Sequence, residues 1–401
     1  MSITKPYSLL GCSLLALATA CGDNDPAPSS QDERVQREAI ETYASIVHAS
    51  YQDSAAAAGD LDDAIAALVA DPTEETLGDA RAAWLAAREP YLQTEVYRFY
   101  DGPIDNPTDG PEGLINAWPL DEAYIDYVAD EDLPGGGAME GVINDPSIDI
   151  TEEELESLNE QGGEQNVATG FHAIEFLLWG QDLAVDGAGN RPASDYVTDG
   201  SGTALNQDRR ALYLTTVTGM LKGHLDGLVA AWEPGADYRV ELESVQTNEA
   251  LRRILTGMIV LSGFETGGER LKTAYDSGSQ EDEHSCFSDN THRDMVQDVQ
   301  GVLNVYHGSY ARTDGDVVSG ASIRDVVRQK DAALADQLDE HIEDALELAE
   351  ALEPPFDQEI ATDNEEGRAR VEALMTALGE VEKALAEAFE VLNLTIPETE
   401  G

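Results

Sequence analysis

The chain has 401 residues and a formal net charge of −57, from 23 Lys and Arg against 80 Asp and Glu. That sign excludes nucleic-acid binding, which needs a basic footprint against dense phosphate charge, and it excludes docking on anionic lipid through a basic face. Disorder throughout is excluded too, because 42% of the residues are hydrophobic, and the length allows roughly two domains of ordinary size.

Residues 1–20 read as a signal peptide. Lys5 gives a weakly positive start, and Leu9, Leu10, Leu14, Leu15 and Leu17 form an apolar stretch too short to span a bilayer. It ends Ala18-Thr19-Ala20-Cys21. Small residues before a cysteine have the form of a lipobox, so Cys21 is the expected lipidation site and membrane anchor. The alternative is plain secretion with cleavage near Ala20. Residues 21–32 follow as a flexible tether, rich in Gly, Asp, Pro and Ser. Gly22 after the cysteine, where no Asp stands, favours the outer membrane of a bacterial envelope, on its periplasmic or surface face. No second apolar run reaches spanning length. Cys12, Cys21 and Cys286 are the only cysteines, which excludes a disulfide scaffold and any Cys-rich metal site.

The mature chain is expected to be all-α. Residues 33–58 are Ala-rich, with Ile40, Tyr43 and Val47 on one face. Leu77, Ala80, Trp84, Ala87 and Tyr91 recur at steps of three and four, the stripe of a helix packed in a bundle. Asp101 to Pro111, Leu133 to Gly137 and Gly187 to Gly202 are breakers. Further helices are expected at 204–232, 247–275, 291–309 and 330–352, and along Val371 to Leu392. Tyr238 to Leu242 alternates, and reads as a strand or as the start of a helix. A boundary near 205 divides the chain into two helical bundles, 33–205 and 206–397.

Three segments carry residues suited to chemistry. In Gly170-Phe171-His172-Ala173-Ile174-Glu175, a spacing of three stacks His172 and Glu175 on one helix face. An imidazole beside a carboxylate supplies two ligands to a transition metal, and Gly170 permits close approach. The plainer reading is a core histidine bonded to a glutamate. The second segment runs from Gln280 to Asp294 and includes His284, Ser285, Cys286, Asp289 and His292. All of these bind metals. The plainer reading makes it an acidic loop followed by a capped helix from Thr291. The third runs from Asn116 to Tyr127 and includes Trp118-Pro119-Leu120-Asp121-Glu122, where Pro119 opens a helix and Asp121 and Glu122 favour its positive end, or where these carboxylates face a ligand.

These segments resemble the imelysin-like family, in its iron-regulated protein A branch. Gly170 to Glu175 matches the family's G-x-H-x-x-E motif, and Glu281 to His292 is similar to that branch's second signature. Trp118 to Asp121 and Val305 to Tyr310 look familial too. The resemblance spans roughly residues 35–395. It implies two bundle-like halves with the G-x-H-x-x-E helix near their interface, and a cell-envelope lipoprotein linked to iron acquisition. The family also carries an older metallopeptidase label.

Two functions compete. One is a non-enzymatic lipoprotein that binds iron, or an iron-bearing small molecule, and works with an iron-transport partner. Its expected metal residues are His172, Glu175, His284, His292 and Asp289. Its pocket residues are Gly170, Phe171, Trp118, Asp121, Ser285 and Cys286, the last remaining a thiol. The same donors accept zinc or copper. The other is a zinc peptidase, but neither H-E-x-x-H nor H-x-x-E-H is present, since Phe176 follows Glu175. A third reading has Trp118, Trp179 and Phe171 walling a pocket for haem or an organic iron carrier.

Overall fold

In the computed structural model, residues 31–129, 141–184 and 187–397 are described. The signal peptide, Cys21, the tether up to Ser30 and the turn cluster at 133–137 lie outside them. The first helix, α1 (Gln31–Ala70), runs past its expected end because Leu61, Ile65 and Leu68 continue the buried stripe. In α2 (Glu74–Leu92), Thr73 and Thr76 form a reciprocal cap at the start. Its buried stripe is the one read from the sequence with Arg88, Pro90 and Leu92 added, and Arg88 is the only charged residue inside it.

The segment that follows is mostly loop, with short helices α3 (Glu112–Ile115), α4 (Glu122–Ile125) and α5 (Glu152–Leu158). Pro119 follows a cis peptide bond and opens no helix. Asp121 caps α4 instead, its side chain accepting from the Ala123 N–H. All ten residues of α6 (Gly170–Trp179) are buried. Beyond it come α7 (Gln207–Trp232) and α8 (Asp237–Ser244), so the alternating run at 238–242 is helical.

α9 (Thr247–Ile259) continues into a π-helical stretch, Val260–Lys272, and then α10 (Thr273–Ser277). A Cβ on Gly257 would meet the Val96 carbonyl oxygen at 2.0 Å, so glycine is what lets α9 approach that turn. After α11 (Thr291–His307) comes the hairpin of β1 (Ser309–Ala311) and β2 (Val317–Ser319), with Tyr310 opposite Val318. It is pinned to α1 by Asp53, which accepts from the Tyr310 hydroxyl at 2.9 Å and from Arg312 at 2.7 Å. The chain closes with α12 (Ile323–Lys330), α13 (Ala332–Glu350), α14 (Phe356–Ile360) and α15 (Glu365–Val391).

Only two short strands occur among the described residues, and the fold is all-α. α1 packs on α2 and α7, and α6 packs on the same two helices. α15 packs on α13, α9 and the π-helical stretch, with α11 against α13. Contacts of α2 with α11 and of α1 with α9 and α12 join the two groups. α7, which begins after position 205, packs with the earlier helices.

A net charge of −57 on this frame destabilises it by self-repulsion. Raising sodium chloride from about 0.1 M to about 1 M contracts the screening length from roughly 10 Å to roughly 3 Å. The thermal midpoint should therefore rise, by roughly 1 °C for each kcal/mol of repulsion relieved in a chain of this length. A midpoint that falls in a calorimetric salt series would show that surface ion pairs outweigh repulsion.

Candidate functional site

The site starts from a glycine. Gly170 opens α6 at φ +83°, and a Cβ there would meet the Ile115 carbonyl oxygen at 2.4 Å. Glycine thus lets α6 abut the end of α3. Helical spacing then places His172 and Glu175 together, with Nδ1 and Oε2 2.9 Å apart. The other carboxyl oxygen of Glu175 accepts from the Ser288 N–H at 3.0 Å and the Ser288 hydroxyl at 2.6 Å. Both oxygens are committed. His172 Nε2 is buried and has no hydrogen-bond partner.

The second segment supplies a matching arrangement. His284 Nδ1 lies 2.7 Å from Asp294 Oδ2. The same oxygen accepts from the Ser285 hydroxyl at 2.6 Å and Arg88 Nη2 at 3.1 Å, while Oδ1 accepts from Asn290 at 3.2 Å. Arg88 and His284 Nδ1 are 3.5 Å apart, but both are donors toward Asp294, so that contact is not a bond. Arg88 also donates to Asn116 Oδ1. The two imidazoles therefore share a geometry: each has Nδ1 within hydrogen-bond distance of a carboxyl group. Their rings meet edge to face, 4.8 Å between centroids.

Electrostatics keep both rings neutral. Burial pushes His172 well down, helped by His284 and Arg88. Burial, then Arg270, pushes His284 to about 4 against the pull of Asp294. Burial raises Glu175 to about 8 against the Ser288 hydrogen bond. Burial also acts to raise Asp294, but Arg88 and the bonds from His284 and Ser285 outweigh it and hold that carboxyl well below the usual range. The ionised Asp294 accepts from Nδ1–H of neutral His284 and leaves Nε2 free to ligate a metal, whereas Glu175, at about 8, holds its own proton near neutral pH, so His172 reaches the same state only as Glu175 ionises.

Beside the pair lies a cleft of about 250 Å³, lined by Trp118, Asn116, His284, Arg98, Glu265 and Arg270 among others. Arg270 donates to Glu95, Glu265 and Asp298, so its charge is already answered. His172 is fully buried and does not line the cleft. His172 and Glu175 therefore do not open directly into the cleft. Trp118 covers His172 at 4.9 Å between ring centroids.

The expected residues divide. His172, Glu175, His284, Ser285, Trp118, Gly170 and Phe171 come together. Phe171 serves as packing, buried beneath the Arg88 guanidinium at 5.0 Å. His292 stands apart, half-buried, its Nδ1–H donating to the Asp289 carbonyl at 3.2 Å. Asp289 faces Asp182 and Asp357 instead, and burial pushes it to about 7. Asp121 is exposed and spent on its helix cap. Cys286 is buried away from the cleft, its thiol pushed up by burial. Trp179 packs on Trp84 at 5.3 Å, so the three expected aromatics wall no common pocket.

No group of three or more His, Cys, Asp or Glu side chains among the described residues is arranged to hold a metal ion. Of the five expected ligands, His172 and His284 come together with Glu175 beside them, and His292 and Asp289 stand apart. Arg88 lay outside the three expected segments, and Asn116, Ser288 and Asp294 lay inside them without being assigned to the site. The position of Arg88 within the stripe, four residues after Trp84 and three before Tyr91, is the one sequence signal that could have found it.

Fold and site define an all-α protein with a buried histidine–carboxylate centre where two groups of helices meet. The chain belongs to the imelysin family: the family model Peptidase_M75, described as Imelysin, matches residues 47–385. It is 26% identical over 388 residues to iron-regulated protein A of Synechococcus elongatus (strain ATCC 33912 / PCC 7942 / FACHB-805), covering 94% of this chain and 90% of the relative. Two solved structures share the fold. One, described as an iron-regulated protein A precursor from Parabacteroides distasonis ATCC 8503, aligns with TM-score 0.66 and 17% identity, over 92% of this chain and 97% of that one. The other, an imelysin-like protein from Psychrobacter arcticum 273-4, aligns with TM-score 0.64 and 13% identity, over 92% and 99%.

Proposed function

We propose that this protein binds a metal ion through Nε2 of His172 and Nε2 of His284, and that it serves iron handling in the bacterial cell envelope, anchored by a lipid on Cys21. The observation that carries the binding reading is the paired pattern: two neutral imidazoles 4.8 Å apart, each with Nδ1 beside a carboxyl group, and His172 Nε2 buried without a partner. In this reading Glu175 and Asp294 orient the ligands and are not ligands themselves. Water or a small carrier molecule fills the remaining positions from the cleft. Iron is favoured by the name of the Synechococcus relative, and zinc and copper also suit imidazole. The cleft, at about 250 Å³, falls below the usual range for drug-sized ligands, roughly 300–1,000 Å³. That supports an ion or small chelate over haem.

Elemental analysis and metal titration of the mature protein test this. Wild type should take up about one ion per chain. His172→Ala and His284→Ala should each abolish defined binding, and Glu175→Gln should weaken it roughly 10–100-fold. Unchanged uptake in the folded double variant H172A/H284A would remove both residues from the site.

A further inference from the structure

We infer that Trp118 controls access to the paired imidazoles, its indole closing the passage between the cleft and His172. The inference rests on the reading of His172 and His284 as ligands, and it adds the step by which the ion arrives.

His284 lines the cleft and His172 does not. Trp118 lines the cleft as well, and it is the side chain in contact with both rings. Its centroid lies 4.9 Å from His172 and 6.4 Å from His284, and 6.0 Å from Phe287. The other groups around His172 are held in place. Glu175 is bonded to Ser288, His284 to Asp294, and Phe171 and Phe287 are buried. Trp118 is only half-buried, and it sits on the connection between α3 and α4 and not within a helix. It is therefore the wall that can swing into the cleft without breaking a helix or a buried ion pair.

The wall also selects. Arg98 and Arg270 line the same cleft and are answered there by Glu112 and Glu265, while Glu160, Glu269 and Asp282 leave its lining net negative, so a cation is drawn in as far as Trp118. An ion that has shed most of its shell passes the displaced indole, and a bulky carrier stays outside.

Stopped-flow binding of cobalt(II), followed by its visible absorbance, tests the gate. In the folded variant Trp118→Ala, the association rate should rise about tenfold or more, as expected when a conformational step limits entry, and the gain should vanish in W118A/H172A. Binding by W118A alone, with wild type inert over the same time, also supports the gate. Equal rates in wild type and W118A, with binding still dependent on His172, would overturn the gate and leave the two-histidine reading standing. No cobalt bound by either protein would overturn both. If circular dichroism shows W118A unfolded, Trp118→Phe carries the test. Its smaller ring should speed entry at least about threefold, and an unchanged rate would overturn the proposal.

Discussion

Replacing Asp126 by asparagine should destabilise the protein by roughly 3–5 kcal/mol, the loss expected when one partner leaves a buried ionic cluster. Asp126 is buried, and it accepts from Arg191 Nη1 at 2.8 Å and from Arg210 Nε at 2.6 Å and Nη2 at 3.0 Å. Asparagine keeps the shape but has one acceptor oxygen, and it turns an amide donor toward two guanidinium groups. Arg191 retains Asp195 at 3.3 Å, while Arg210 retains only carbonyl oxygens among its hydrogen-bond acceptors. The sign of the pH effect follows. Burial acts to raise Asp126, but Arg191 and Arg210 outweigh it and leave the carboxyl below its ordinary value of 3.8. Its contribution is therefore fully present above that value and is lost as pH falls through the lower, folded value. Urea unfolding should show the largest deficit in D126N near neutral pH and a shrinking deficit below about pH 4. A deficit under about 0.5 kcal/mol at neutral pH would show that the cluster is not worth its desolvation.

Periodicity revealed most of the helices, because steps of three and four mark a buried face whatever lies beneath it. It failed where the period changes. The stretch from Val260 to Lys272 is π-helical, and it hid inside one expected helix at 247–275. The histidine–glutamate pair on α6 was legible because spacing alone puts those side chains together. Its environment was not, because closure depends on Trp118 and on a loop more than a hundred positions away. The second segment shows the limit most clearly. His292 and Asp294 both read as polar residues near a helix start. Steps of three and four from Thr291 put Asp294 and Asp298 on the buried face, and His292 lies off it, half-buried. Counting donors along the chain could not separate them, whereas applying the helix period from Thr291 would have. Arg88 is the opposite case. An arginine in an Ala-rich helix suggests solvent, and only its carboxylate partner on α11 shows why it is inside.

That partnership sets up the second large effect. Arg88→Met should destabilise the protein by about 3–5 kcal/mol and weaken metal binding in the same variant. Methionine keeps much of the volume packed near Trp84, Tyr91 and Phe171, so the loss reports charge and hydrogen bonds, not a cavity. Without Arg88, the carboxylate of Asp294 loses the cation at 3.1 Å that does most to hold it ionised, and Asn116 loses its bond as well. The Asp294 carboxyl then takes up a proton or turns away, and His284 no longer has a fixed acceptor for Nδ1. Asp294→Asn in the same chain removes the stranded charge. R88M/D294N should accordingly be more stable than the sum of the single losses by about 1 kcal/mol or more. Strict additivity in urea melts would mean that Arg88 acts only by packing. The contrast with Asp126 makes the two predictions a joint test. Asp126 is tied to Arg191 and Arg210 and not to either imidazole, so D126N should lower stability while its folded fraction binds metal with wild-type affinity. Arg88 runs from α2 to Asp294 on α11, across the line where the two helix groups meet, so its loss should lower both together.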